Sequence, residues 1–104
     1  MNYRGEKYDS SLSLKEIAKL IRQDLRRELP NCKFSVRVDG WHSIYIGVKS
    51  TPYEYKSDEY WNIVNKVYEI EKMYNYDNSD ILTDYWDYRF ACVCQGDMDY
   101  KQIK

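Results

Sequence analysis

A helix-like stretch ending at Leu29 runs into the pentapeptide Lys33-Phe34-Ser35-Val36-Arg37 through only Pro30-Asn31-Cys32. That joint constrains the fold more than any other feature. Leu14, Ile17, Ala18, Ile21, Leu25 and Leu29 recur at spacings of three and four, which makes one apolar stripe over about four helical turns. Ser13 with Glu16 three residues later is a capping box, and Pro30 stops the helix. Beyond the joint, Phe34, Val36 and Val38 alternate with Lys33, Ser35 and Arg37, the period of a half-buried strand.

The next strand, Ser43 to Val48, fixes the turn between them. A two-residue Asp39-Gly40 hairpin would place Ile44, Ile46 and Val48 on the face opposite to Phe34, Val36 and Val38. An odd-length loop removes the conflict. Three residues pair Val36 with Ile44, five pair it with Ile46, and both leave Gly40 as the left-handed residue. Ser57 then caps a second helix with Asp58 and Glu59 in its first turn, whose buried stripe is Tyr60, Ile63, Val64, Val67, Ile70 and Tyr74. Tyr88, Phe90, Cys92 and Cys94 alternate with Arg89, Ala91 and Val93 as a third strand that could join the hairpin, closed by Gly96. The expected fold class is α+β in the order α-β-β-α-β: a small sheet containing an antiparallel hairpin, with both helices packed on one face. Residues 1–11 read as a flexible arm, 12–96 as the single domain and 97–104 as a short polar tail.

Several function classes lack the residues they need. One histidine, His42, and four scattered glycines supply no Ser-His or Cys-His pair, no phosphate-cradling loop and no metalloprotease helix, so no catalytic residue and no cofactor is assigned. Paired carboxylates such as Asp84 and Asp87 read as solvated loop acids. Cys32, Cys92 and Cys94 are odd in number, and Cys-x-Cys on a strand lacks zinc-knuckle spacing, so they read as free, buried thiols and no metal site is expected. The early residues lack the pattern of a secretory signal and the apolar runs are short, so the expectation is a cytoplasmic chain without membrane contact.

Charge is the informative remainder. Residues 1–50 carry ten Lys and Arg against six Asp and Glu, a net +4, whereas residues 51–104 carry six against eleven, a net −5. A fold that keeps the halves apart makes the protein dipolar; one that interleaves them erases this. Lys15, Lys19, Arg22 and Arg26 form a ridge on the first helix opposite the apolar stripe, with Glu16, Asp24 and Glu28 interspersed. An ordinary solvated helix face gives the same pattern. On the outer face of the hairpin, Lys33 and Arg37 lie near Tyr45, and cations interleaved with a ring can meet phosphates and stack bases. Twelve tyrosines against two phenylalanines suit wet interfaces, and a bias toward A/T-rich codons produces the same excess.

The acidic half offers a second surface. Asp84, Tyr85, Trp86, Asp87 and Tyr88 sit in a segment with Asp77, Asp80, Asp97, Asp99 and Tyr100, where Arg89 is the only base between Asp77 and Tyr100. Carboxylates on rigid aromatic ground can imitate a phosphate backbone and occupy the basic groove of a nuclease or CRISPR-type effector. A loop that only keeps the protein soluble is the plainer alternative.

Ser13-Leu14-Lys15-Glu16-Ile17-Ala18-Lys19-Leu20-Ile21-Arg22, then Leu25, Leu29-Pro30, Lys33 to Arg37 and Ser43-Ile44 ahead of Pro52, resemble the large polyvalent protein-associated domain, type 29. The resemblance covers about residues 12 to 55 and departs at Val48-Lys49-Ser50-Thr51-Pro52, where that family's second strand ends Trp-x-x-Gly-Pro. It implies a compact α+β module of a phage, plasmid or other mobile element, and it implies no reaction. The functional expectations, set in a bacterial host cell by that resemblance, are an accessory protein contacting nucleic acid through Lys15, Lys19, Arg22, Arg26, Lys33, Arg37 and Tyr45, an anti-defence inhibitor binding a host protein through Asp84, Tyr85, Trp86, Asp87 and Tyr88, and, third, a purely structural or homo-oligomeric module.

Overall fold

The computed structural model describes residues 3–80, 82–84 and 86–103. The elements follow in the order β1 (Tyr3–Arg4), α1 (Leu14–Glu28), β2 (Lys33–Asp39), β3 (Ser43–Thr51), α2 (Asp58–Lys72), β4 (Tyr76–Asp77) and β5 (Ala91–Gln102). The α-β-β-α-β order read from the sequence is the body of the fold, and two short strands, β1 and β4, are added to it.

Local chemistry starts both helices where the sequence indicates. Ser13 and Glu16 form the reciprocal capping box of α1, and the Ser57 hydroxyl accepts from the Tyr60 N–H at the start of α2. The hairpin has the register of the five-residue alternative, with Val38 paired to Ile44, Val36 to Ile46 and Phe34 to Val48, but Asp39 and Ser43 pair as well, so the loop itself is the three residues Gly40-Trp41-His42. Gly40 has φ of 71°, the left-handed conformation that glycine adopts without a Cβ penalty. With this parity Val36, Ile44, Ile46 and Val48 lie under the helices.

Strand β5 adds in parallel to the other side of β3, so the sheet order is β2-β3-β5 and α2 is the crossover between β3 and β5. Ile17, Ile21 and Leu25 of α1 and Tyr60, Val64, Val67 and Ile70 of α2 bury against that face together with Phe90 and Cys94. All three cysteines are free, and burial pushes their thiol pKa values up, that of Cys94 to about 12, so they pack as small apolar groups.

Three features differ from the sequence reading. Residues 3–8 are docked against the domain. The N–H groups of Gly5 and Lys7 donate to the carbonyls of Asn75 and Met73, which satisfies acceptors at the C-terminal end of α2, while β1 pairs with β4. Secondly, the last strand continues past Gly96 to Gln102. An irregularity sets Lys49 of β3 against Asp97 to Tyr100, after which Ser50 and Thr51 pair with Lys101 and Gln102. Thr51 is fully buried in this extension; its hydroxyl is bonded to the Tyr100 hydroxyl at 2.6 Å and to the Tyr53 carbonyl, it accepts from the Tyr53 N–H, and Tyr100 also donates to the Tyr53 carbonyl. Thirdly, Asp24 does not share the solvated ridge of α1. It is 6% exposed and accepts from Tyr74 Oη, from Lys7 Nζ and from Arg27 Nη2. Burial pushes its carboxyl pKa up, and the bonds from Tyr74 and Lys7, with the charges of Lys7 and Arg27, outweigh this and hold it below the ordinary value.

Candidate nucleic-acid interface

The packing decides what becomes of the charge asymmetry. Helix α1 packs on β2 at one edge of the sheet, α2 packs on β5 at the other, and β3 lies between. The basic α1–β2 part and the α2–β5 part of the sequence therefore occupy opposite flanks, while residues 3–8 of the basic half dock at the end of α2. Between residues 12 and 41, seven Lys and Arg stand against four Asp and Glu, and one of those acids is the buried Asp24.

Arg22 ties the helix ridge to the strand. Its Nη2 donates to the Val36 carbonyl of edge strand β2 at 2.6 Å. Because Lys15, Lys19, Arg22 and Arg26 share one helical stripe, this bond places the stripe along the β2 edge. Lys15, Lys19 and Arg26 are exposed, as are Lys33 and Arg37 on β2. Among the described residues none of these five cations forms an ion pair, whereas Lys7 and Arg27 are paired to Asp24 and Lys49 lies 3.8 Å from Asp99. A cation without an ion-pair partner leaves more of its attraction available to an external anion. The structure thus brings the two sequence-derived basic sets into one continuous flank, with Arg22 as the link.

Tyr45 is less available than its position suggests. It lies opposite Arg37, whose guanidinium sits 4.5 Å from the ring centroid, and its hydroxyl donates to Asp97 Oδ1 at 2.8 Å. That bond, followed by burial, raises the Tyr45 hydroxyl pKa above its ordinary value. The bulged β5 delivers Asp97 onto the outer sheet face over Gly47, where an added Cβ would collide with the Asp97 carboxylate. Asp97 and Asp99 line the same cavity of about 460 Å³ as Arg37 and Tyr45, so this cavity does not attract anions. The cationic surface lies on the β2 side of Arg37.

The acidic set is dispersed. Asp77 and Asp80 accept from the N–H groups of Ser79 and Leu82 as turn formers, Asp84 Oδ1 accepts from Trp86 Nε1, and Asp87 Oδ1 accepts from Tyr76 Oη. Arg89, the lone base of the segment, donates to the Leu12 carbonyl. Asp84 and Trp86 are exposed, Asp87 and Tyr88 are half-buried, and Tyr85 lies outside the described residues. Among the described residues no group of three or more His, Cys, Asp or Glu side chains could hold a metal ion, and no helix is long and apolar enough to cross a membrane.

Sequence reasoning missed the hairpin tip. Trp41 is 93% exposed, its ring is 6.4 Å from that of His42, and His42 stacks on Tyr88 at 5.6 Å. The available signal was the choice of a tryptophan in a turn, which the loop-length argument treated only as spacing.

Residues 12–104 match the family model described as large polyvalent protein associated domain 29. The chain belongs to this family. The match takes in the acidic half as well as residues 12 to 55, so α2 and β5 are part of the shared polyvalent protein associated domain, while the docked residues 3–8 precede it. No curated protein and no solved structure is detectably similar to the chain.

Proposed function

We propose that this domain is a non-catalytic accessory protein of a phage or other mobile element, and that it contacts nucleic acid through its α1–β2 flank. The observation that carries the proposal is the set Lys15, Lys19, Arg26, Lys33 and Arg37, unpaired among the described residues and gathered about one edge strand by the Arg22–Val36 bond. Cations of this kind bind a phosphate backbone by releasing its counterions, with affinity that falls steeply with salt. Family membership supports the mobile-element setting and names no ligand.

The test is binding of fluorescently labelled single- and double-stranded oligonucleotides at low salt. Wild type is expected to bind, and Lys33→Glu/Arg37→Glu to lose at least ten-fold in affinity. Absence of binding by the wild type, or affinity unchanged in the variant, removes the proposal.

A second reading, an anti-defence inhibitor that binds a host nuclease or CRISPR-type effector, is favoured by the acidic-flank surface where Leu82 is 97% and Trp86 62% exposed beside Asp84. Exposed aromatic anchors are the residues that dominate protein interfaces. The dispersal of the aspartates into turns makes this the weaker reading. Capture of a nuclease or CRISPR-type effector from host lysate, lost in Trp86→Ala/Asp87→Lys and retained in Lys33→Glu/Arg37→Glu, would replace the first reading with the second.

A further inference from the structure

We propose that Trp41 is a base-stacking platform, and hence that the nucleic acid bound by this domain is single-stranded. The inference rests on the phosphate-binding reading of the α1–β2 flank and adds the class of strand.

The tip that presents Trp41 is built from both sides. Asp39 pairs with Ser43 below it, Gly40 turns the chain at positive φ, and the Ala91 N–H donates to the His42 carbonyl at 2.9 Å, fastening the tip to the start of β5. His42 and Tyr88 are stacked with 27° between their planes, and Trp41 leans toward His42 at 33°. The result is a short ladder of rings anchored in the fold at Tyr88 and ending in a tryptophan that is almost wholly in water. Exposing an indole forgoes the burial that usually governs its placement, and among the described residues His42 is the one ring that Trp41 meets.

The ladder ends the same hairpin whose β2 strand carries Lys33 and Arg37, with Asp39 as that strand's only acid. Cations leading to an open ring are the two parts of a single-strand site: phosphates track the cations and an unstacked base covers the ring. A duplex keeps its bases stacked on one another and has none to offer. Tyr45 cannot fill this role, because Arg37 covers it and Asp97 holds its hydroxyl.

The experiment compares the full chain with Trp41→Ala and Trp41→Phe, using a labelled oligothymidine and a labelled duplex of equal length at the same salt. Wild type is expected to prefer the single strand, with tryptophan emission quenched on binding. Trp41→Ala is expected to weaken single-strand affinity about ten-fold and leave the duplex unchanged, and Trp41→Phe to restore part of the loss while removing the quench. The exposed position leaves the fold intact, which circular dichroism checks. Equal affinity for both strands, or no loss in Trp41→Ala while Lys33→Glu/Arg37→Glu abolishes binding, overturns the platform and leaves the flank reading standing. If the wild type binds neither oligonucleotide, the flank reading fails and the platform with it.

Discussion

Asp24 and Glu71 are two buried acids whose energetics run in opposite directions. Asp24 has three donors around it, and its folded-state pKa lies below the ordinary 3.8, so its contribution is present above 3.8 and is lost as the pH falls from there through the lower folded-state pKa. Asp24→Asn is expected to cost about 2 kcal/mol at pH 7 by urea denaturation and to lessen the acid sensitivity of the remaining stability. Glu71 is 4% exposed, and its Oε2 accepts from Asn75 Nδ2 at 3.2 Å. Burial pushes its pKa up from 4.5 to about 7, against the weaker opposing effects of Asn75 and Lys72. For this group the protonated form is the one that the fold favours. Stability linked to Glu71 is therefore full below pH 4.5 and is lost as the pH rises through about 7. Glu71→Gln keeps an oxygen acceptor for Asn75 and is expected to gain roughly 2–3 kcal/mol at pH 8 and almost nothing at pH 4, measured by the same denaturation at both values. Neither acid was visible as buried in the sequence. On α1, Asp24 shares a face with surface charges, and only the docking of Lys7 and the arrival of Tyr74 from α2 draw it inside.

At the scale of elements, what was legible followed from periodicity and local chemistry. The capping box of α1, the Ser57 N-cap of α2, the two apolar stripes and the conflict of register across Asp39-Gly40 depend on residues close in sequence, and the structure agrees with each. What was not legible depends on distant partners. Nothing near Gly96 announces that β5 goes on to Gln102; the continuation depends on Thr51, about fifty residues earlier, being buried with a hydroxyl that Tyr100 satisfies. Tyr100→Phe leaves the Thr51 hydroxyl without that partner and is expected to cost about 1–2 kcal/mol. Hydrogen exchange would localise the effect: the Ile103 amide, which donates to the Thr51 carbonyl, should lose protection while the Ile44 and Ile46 amides keep theirs. Uniform loss across the sheet would mean that the extension is not a separate unit. Residues 3–8 were misread for the same reason, since the acceptors that hold them lie at the far end of α2.

For the whole molecule, the order β2-β3-β5 converts a sequence asymmetry into a spatial one. Had β5 inserted between β2 and β3, the halves would have interleaved and their charges mixed. Instead α1 and β2 form a basic flank and α2 with β5 an acidic one. The candidate site was partly legible: the seven basic-surface positions came from strand and helix periodicity, whereas the bond from Tyr45 to Asp97 and the ladder from Trp41 to Tyr88 arise from contacts between segments about fifty residues apart. The claim on which this account rests is that the flank binds phosphates, and the measurement that addresses it most directly is the slope of log affinity against log salt for a labelled single strand. With three to five phosphates neutralised, the slope should be about −2 to −4, and Lys19→Glu/Arg26→Glu should bring it closer to zero by about 1 to 2. A wild-type affinity indifferent to salt, or a slope that this double substitution leaves unchanged, would contradict it.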